Sequence, residues 1–350
     1  MPSIKVVPDP AREERDIFLS DYIVQTSNLC KYYYEESRLP FLSLGRPSRH
    51  VRAVDNISLG IERNEVLGLV GESGCGKSSL GKTIIRLEDA TSGEIVFENQ
   101  DITHLSHEQL MPFRRKMQII LQDPYASLNP RKTVFQIINQ ALELHWPDSK
   151  KSERTARVEE LIEKVGLEKN QLKRYPHQFS GGQRQRICIA RAISFDPIFL
   201  VADEVVSALD VSIQAQILNL LLLIKKDLEL SILFISHDLS VVRQLCDRVA
   251  VMYLGKIVEM ASSDELFSNP MHPYTQALMS AIPIPDADKK WDPILLKGEP
   301  PSPLQRPKGC YFHPRCHKVF QVCDKENVSL NETGLGHFVA CHLFAGADGG

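Results

Sequence analysis

The sequence predicts an α/β fold with a mainly parallel sheet, and three observations carry that prediction. The apolar run Val66-Leu67-Gly68-Leu69-Val70 leads through a glycine-rich turn into a helical stretch, Lys77 to Leu87. A second strand–helix alternation runs from Ile198 to Leu254 and contains the apolar runs IFLVA and SILFIS. One of these runs ends in paired carboxylates, Asp203 and Glu204. Strands that alternate with helices pair in parallel and are covered on both faces.

The elements follow in order. Residues 1–20 are polar and charged, a lead-in. Tyr22 to Leu29 reads as a strand, and Glu35 to Arg52 as a long basic loop or hairpin. Strands are expected near Val54 to Leu59 and Val66 to Val70. Ser127 to Tyr175 reads as mostly helical, punctuated by Pro130 and Pro147, with Leu161, Ile162, Val165 and Leu167 near helical spacing. Prolines multiply from about Ser262, where a domain boundary is placed. A length of 350 residues agrees with two domains.

Composition excludes several classes. Lys plus Arg total 41 and Asp plus Glu 44, a net charge of -3 that argues against nucleic-acid binding by bulk charge. Hydrophobic residues at 43% and charged residues at 24% argue against a disordered chain. The longest apolar stretch, Ile217 to Ile224, is interrupted by Asn219 and is far short of the roughly 20 residues of a membrane span. The first residues lack an apolar targeting segment, so the protein is expected inside the cell, with any membrane role exercised through a partner.

Gly71-Glu72-Ser73-Gly74-Cys75-Gly76-Lys77-Ser78 fits the phosphate-loop pattern G-x-x-x-x-G-K-[ST], between a strand and a helix as that pattern requires. Glycines let backbone N–H groups curl around phosphates, and the helix N-terminus adds partial positive charge. Lys77 can reach the β- and γ-phosphates, and Ser78 can ligate Mg²⁺. The loop alone leaves GTPases, kinases and many ATPases open. Asp203, at a strand end, would hold Mg²⁺ directly or through water, and Glu204 would polarise the attacking water as general base.

Just upstream lies Phe179-Ser180-Gly181-Gly182-Gln183-Arg184. Here the chain resembles the ATP-binding-cassette (ABC) ATPases, whose signature is SGGQ. The order phosphate loop, Gln122, signature, Asp203-Glu204, Ser207-Ala208-Leu209-Asp210 and His237 agrees with that family. The likeness covers about residues 22–260. It implies a P-loop cassette, residues 21–262, with an antiparallel β subdomain and a helical subdomain at about 124–178. It also implies that two cassettes pair head to tail around two Mg·ATP, so that Ser180, Gly181, Gly182 and Gln183 act on the nucleotide of the facing subunit, and that Asp210 is a further nucleotide-binding residue. His237 would contact the γ-phosphate. Gln122 would sense Mg²⁺ and the attacking water. Tyr33 would stack on adenine, with Tyr32 and Tyr34 as the rival pair because alternate strand residues share a face. Ser79 and Val205-Val206 stand where the family usually has Thr and Pro-Thr.

VGESGCGKSSL, LQDPYASLNPR and NPMHPYTQALMSAIP resemble one subfamily, the ATPase subunits of dipeptide and oligopeptide importers. The basic insert before Val54 and Cys75 are similar to the second, F-type, of two paired ATPases. That likeness implies a heteromeric cassette pair on the cytoplasmic face of the membrane, two transmembrane permease subunits and an extracellular solute-binding protein. Nickel and sugar-oligomer importers belong to the same group, so the cargo stays open. A non-transport ABC ATPase and a regulatory module built on a metal cluster are the rival readings. Residues 263–350 form the extension, with Cys310, Cys316, Cys323 and Cys341 crowded near its end. Four thiolates suit an Fe–S cluster or structural zinc. The resemblance implies [4Fe–4S]; His313, His317, His337 and His342 keep zinc as an alternative.

Overall fold

The computed structural model describes residues 22–34, 50–282 and 293–344. The lead-in at 1–20 and most of the basic loop lie outside these residues. The strands are β1 (Tyr22–Tyr34), β2 (His50–Glu62), β3 (Val66–Val70), β4 (Ser92–Phe97), β5 (Gln100–Asp101), β6 (Met117–Ile120), β7 (Phe199–Asp203), β8 (Ser231–Ile235), β9 (Arg248–Tyr253), β10 (Lys256–Ser262), β11 (Asn331–Gly334) and β12 (His337–Val339). They form a four-stranded antiparallel sheet in the order β2-β1-β4-β5 and an eight-stranded sheet in the order β11-β12-β10-β9-β3-β8-β7-β6. In the larger sheet β9, β3, β8, β7 and β6 are parallel, and β10, β12 and β11 continue it antiparallel.

The central strands are apolar on both faces because each face meets its own core. Val66 and Val70, Leu200 and Ala202, and Ile232 and Phe234 feed one core with the helices. The alternate residues Leu67 and Leu69, Phe199 and Val201, and Leu233 and Ile235 feed a second core against the antiparallel sheet. Period-two alternation thus welds two layers onto one sheet.

The stretch read as mostly helical contains the helices Val134–His145 and Lys151–Lys164. Thr133 starts the first with a capping box to Gln136. The helix after the phosphate loop ends at Ile84, earlier than expected, because Arg86 turns into left-handed backbone (φ 55). Three elements carried no clear sequence signal: β4, the helix His107–Lys116, which buries only Leu110, and β6.

Residues after Ser262, where a boundary was expected, pack onto the same sheet and core. Ala340 N–H donates to Val258 O, and β12 pairs with β10. Tyr274 and Phe312 are fully buried in the helix-side core. Glu259 on β10, fully buried, accepts from Met271 N–H, His272 N–H and the ring of His337 (2.7, 2.9 and 2.8 Å). A buried carboxylate needs such partners.

Candidate active site

The parallel register brings the carboxyl ends of four strands together. Gly71 follows β3, Gln122 lies just past β6, Asp203 ends β7 and His237 follows β8. Ligands bind at such strand ends in open α/β sheets. The loop is curled by glycines that nothing else could replace. At Gly71 (φ +149) a Cβ would stand 2.2 Å from Met252 O, and at Gly76 (φ +111) 2.0 Å from Ala53 O. The helix Lys77–Ile84 that the loop opens has no side-chain cap, so its first amides face outward.

Lys77 is buried, and its Nζ donates to Gly71 O (2.7 Å) and Glu72 O (3.0 Å). Ser78 Oγ donates to Asp203 Oδ1 at 2.9 Å, which puts a hydroxyl and a carboxylate side by side where Mg²⁺ would need both. Burial raises the Asp203 carboxyl above its ordinary value, the Ser78 hydrogen bond opposes this, and the neighbouring Glu204 charge adds to it. A divalent cation would relieve that cost, so the donor set fits the ion.

Glu204 takes left-handed backbone (φ 47), anchored by its N–H to Ile235 O at 3.0 Å. A non-glycine residue pays about 1 kcal/mol or more for that turn. The turn aims its carboxylate at the loop. Gln122 Nε2 donates to Glu204 Oε2 at 2.6 Å, and His237 Nδ1 lies 3.5 Å from Glu204 Oε1. The three side chains form one polar group.

A cavity of about 320 Å³ gathers most of the expected residues: Tyr33, Ser73, Gly74, Cys75, Gly76, Lys77, Ser78, Ser79, Gln122 and Glu204. Tyr33 is the tyrosine on this cavity, and its hydroxyl meets Ser79 (3.2 Å) and Glu88. Tyr32 points away, donating to Asp55 Oδ1 at 2.8 Å, and Tyr34 packs against His50. Arg306 and Pro303 of the extension also line the cavity, with no signal in their sequence spacing.

Ser180, Gly181, Gly182, Gln183 and Asp210 are not in the cavity lining. Ser180 caps the helix Gly181–Ala192, with Gln183 N–H donating to Ser180 Oγ and Ser180 N–H to Gln183 Oε1. Asp210 precedes the helix Val211–Leu228 and is exposed.

The four tail cysteines are free thiols. Burial pushes Cys341 up to about 11, and the charges of Cys310, Cys316 and Cys323 add to the shift, so the four share one neighbourhood. Burial also raises Cys310 and Cys316. Among the described residues, however, no group of three or more His, Cys, Asp or Glu side chains is arranged to hold a metal ion. The expected [4Fe–4S] or zinc site is therefore not met as a closed ligand shell. The donor type alone fits, since Cys thiolates are ligands of both Fe–S clusters and zinc.

The ABC transporter family model matches residues 54–207, and the model of the oligopeptide/dipeptide transporter C-terminal region matches residues 258–323. The oligopeptide transport ATP-binding protein AppF of Bacillus subtilis (strain 168) is 49% identical over 326 residues, 92% of this chain and 98% of that protein. The chain belongs to the ABC-transporter ATPases. A second relative of this ATPase, the oligopeptide transport ATP-binding protein OppF of the same organism, is 51% identical over 296 residues, covering 84% of this chain and 92% of that protein. Among solved structures, the dimeric post-hydrolysis state of the ATP-binding cassette MJ0796 bound to ADP and Pi matches with a TM-score of 0.60 and 27% identity, over 69% of this chain and 98% of that one. CbiO1 from Clostridium perfringens, part of the ABC transporter complex cbiONQ, matches with a TM-score of 0.60 and 27% identity, over 71% of this chain and 92% of that one. ATP hydrolysis is the reaction of this ABC cassette. Among the described residues, no helix is long and apolar enough to cross a membrane.

Proposed function

We propose that this ATPase is the energy-coupling subunit of an importer for dipeptides or oligopeptides. The observation that carries the reading is the convergence of Lys77, Ser78, Gln122 and Glu204 on one cavity, with Asp203 bonded to Ser78 and His237 beside Glu204, both outside its lining. The cargo is supported by the match of residues 258–323 to the C-terminal region of oligopeptide/dipeptide transporters.

The residues divide the work as follows. Amides of Gly71 to Ser78, together with Lys77, neutralise the β- and γ-phosphates. Ser78, Asp203 and Gln122 would hold Mg²⁺, which would supply positive charge to the transferring phosphoryl group. Glu204 accepts the proton of the attacking water, Gln122 orients that carboxylate, and His237 orients the γ-phosphate. Tyr33 stacks on adenine. Ser180 to Gln183 and Asp210 complete the site of a facing cassette, so cleavage loosens the pair and opening becomes motion of two membrane subunits.

In this reading residues 21–262 are the cassette, with a helical subdomain at about 124–178, and residues 263–350 are an extension on the cytoplasmic face of the membrane. The partner cassette is a different chain, and an extracellular binding protein delivers the peptide. Cys310, Cys316, Cys323 and Cys341 would be the ligands of a [4Fe–4S] cluster, or of zinc. Iron, sulfide and zinc analysis of anaerobically purified protein checks that part.

The function is tested by copurifying the chain with its membrane subunits in proteoliposomes and adding binding protein loaded with candidate solutes. Peptides are expected to stimulate ATP hydrolysis. Stimulation by nickel or oligosaccharides with none by peptides would move the cargo elsewhere.

A further inference from the structure

Glu72 is the second residue of the phosphate loop, and three of its groups are held at once. Its N–H donates to the Tyr274 hydroxyl at 2.8 Å. Its carbonyl accepts from Lys77 Nζ at 3.0 Å. Its carboxylate accepts both arms of the Arg315 guanidinium, Nη1 to Oε2 at 2.7 Å and Nη2 to Oε1 at 3.0 Å. Two of these three partners come from the extension, 202 and 243 residues further along the chain.

Both partners are buried. Tyr274 is fully buried against Tyr253 and Phe312. The Arg315 side chain is 7% exposed, while that of Glu72 is 27% exposed. A two-pronged guanidinium–carboxylate pair fixes orientation as well as distance. A buried guanidinium also gives up its hydration, so it holds tightly to its one carboxylate.

We infer that Arg315 and Tyr274 are positioning residues for the phosphate loop, which set its affinity for ATP from the C-terminal extension by gripping Glu72. Lys77 belongs to the loop, so its bonds to Gly71 O and Glu72 O close the loop on itself and leave one ammonium donor for phosphate, whereas Arg315 and Tyr274 tie the loop to the rest of the fold from outside the cavity lining. The loop glycines are conformationally free, so a fixed point beside them reduces the ordering that ATP must otherwise impose. The inference rests on the assignment of Gly71 to Ser78 as the phosphate cradle.

The test is a titration of the full-length protein with Mg·ATP, reported by a fluorescent nucleotide, alongside steady-state hydrolysis and thermal melts. Arg315→Gln is expected to weaken ATP binding by about tenfold, the usual scale of coupling between sites. Its kcat at saturating ATP should stay within about twofold, as befits loss of uniform binding. Arg315→Lys should fall between, because it keeps the charge and loses the fork. In a Glu72→Gln background, Arg315→Gln should have little further effect on affinity. A folded Arg315→Gln with unchanged affinity, or one with the same loss when residue 72 is already glutamine, would overturn the inference. Were Arg315→Gln not to fold, Tyr274→Phe decides: weaker ATP binding in a folded protein supports the grip, and unchanged binding refutes it. Lys77→Ala tests the cradle separately, since unaltered ATP affinity there would refute the cradle assignment whatever Arg315 does.

Discussion

Two helix starts that the proposed function assigns to phosphate are built in opposite ways. The helix Lys77–Ile84 follows Gly76 and has no side-chain cap, so its amides are left for a ligand. The helix Gly181–Ala192 closes its own start, because Ser180 and Gln183 satisfy each other's backbone N–H groups. The first end is open and lies in the cavity; the second is closed and lies outside the cavity lining. The comparison teaches that one surface is prepared to bind alone. The other offers only the Gly181 and Gly182 amides and the Ser180 hydroxyl, donors suited to a phosphate already held elsewhere.

The largest expected effect tests the chemistry beside the open end. Glu204→Gln should lower kcat by about 10²–10⁴ while ATP still binds, and ATP-loaded pairs should accumulate in size-exclusion chromatography. Undiminished hydrolysis would remove Glu204 from the role of base. Next comes the closed end. Ser180→Ala should cost about 1 kcal/mol of stability through the lost cap. It should also weaken ATP-dependent pairing and leave binding to the isolated chain intact. Weaker nucleotide binding by the isolated chain would show that the two helix ends serve one site rather than two.

A smaller effect concerns Asp203. A carboxyl whose folded pKa is raised costs stability when ionised; the cost is absent below the ordinary value of 3.8 and appears as pH rises through the folded value. Asp203→Asn should therefore raise the melting temperature of nucleotide-free protein at pH 7 by roughly 2 °C. That gain should shrink toward pH 4, while Mg²⁺-dependent hydrolysis is lost. A gain that does not vary with pH would mean burial of the charge is not its cause. The smallest effect is at the cavity rim, where Tyr33→Ala should weaken ATP binding by about 1 kcal/mol, the worth of one aromatic contact. Equal weakening in Tyr32→Phe would reopen the choice between the tyrosines.

The open end was legible in the sequence because its physics is local. Gly71 to Ser78 are contiguous, and VLGLV, IFLVA and SILFIS are apolar runs that only a sheet with two covered faces can bury. Asp203-Glu204 could be placed because a strand end falls where its run stops, whereas His237 was singled out only through the resemblance to ABC ATPases. The stretch from β4 to β6 was not legible, since SGEIVF is only half buried and the helix after Ser106 hides a single leucine. The tail was harder still. Tyr274 and Arg315 work through partners more than 200 residues away, which no local spacing reports. The cysteines were visible as a cluster in the sequence, but how their side chains sit relative to one another depends on the packing of the tail, which composition does not encode.

The pairing of β12 with β10 also bears on how the protein is made. Translation delivers β10 some seventy residues before its neighbour, so a nascent chain carries an unprotected sheet margin until β12 emerges. A ribosome that stalls or terminates near residue 330 would release a product able to recruit other strands and to clump.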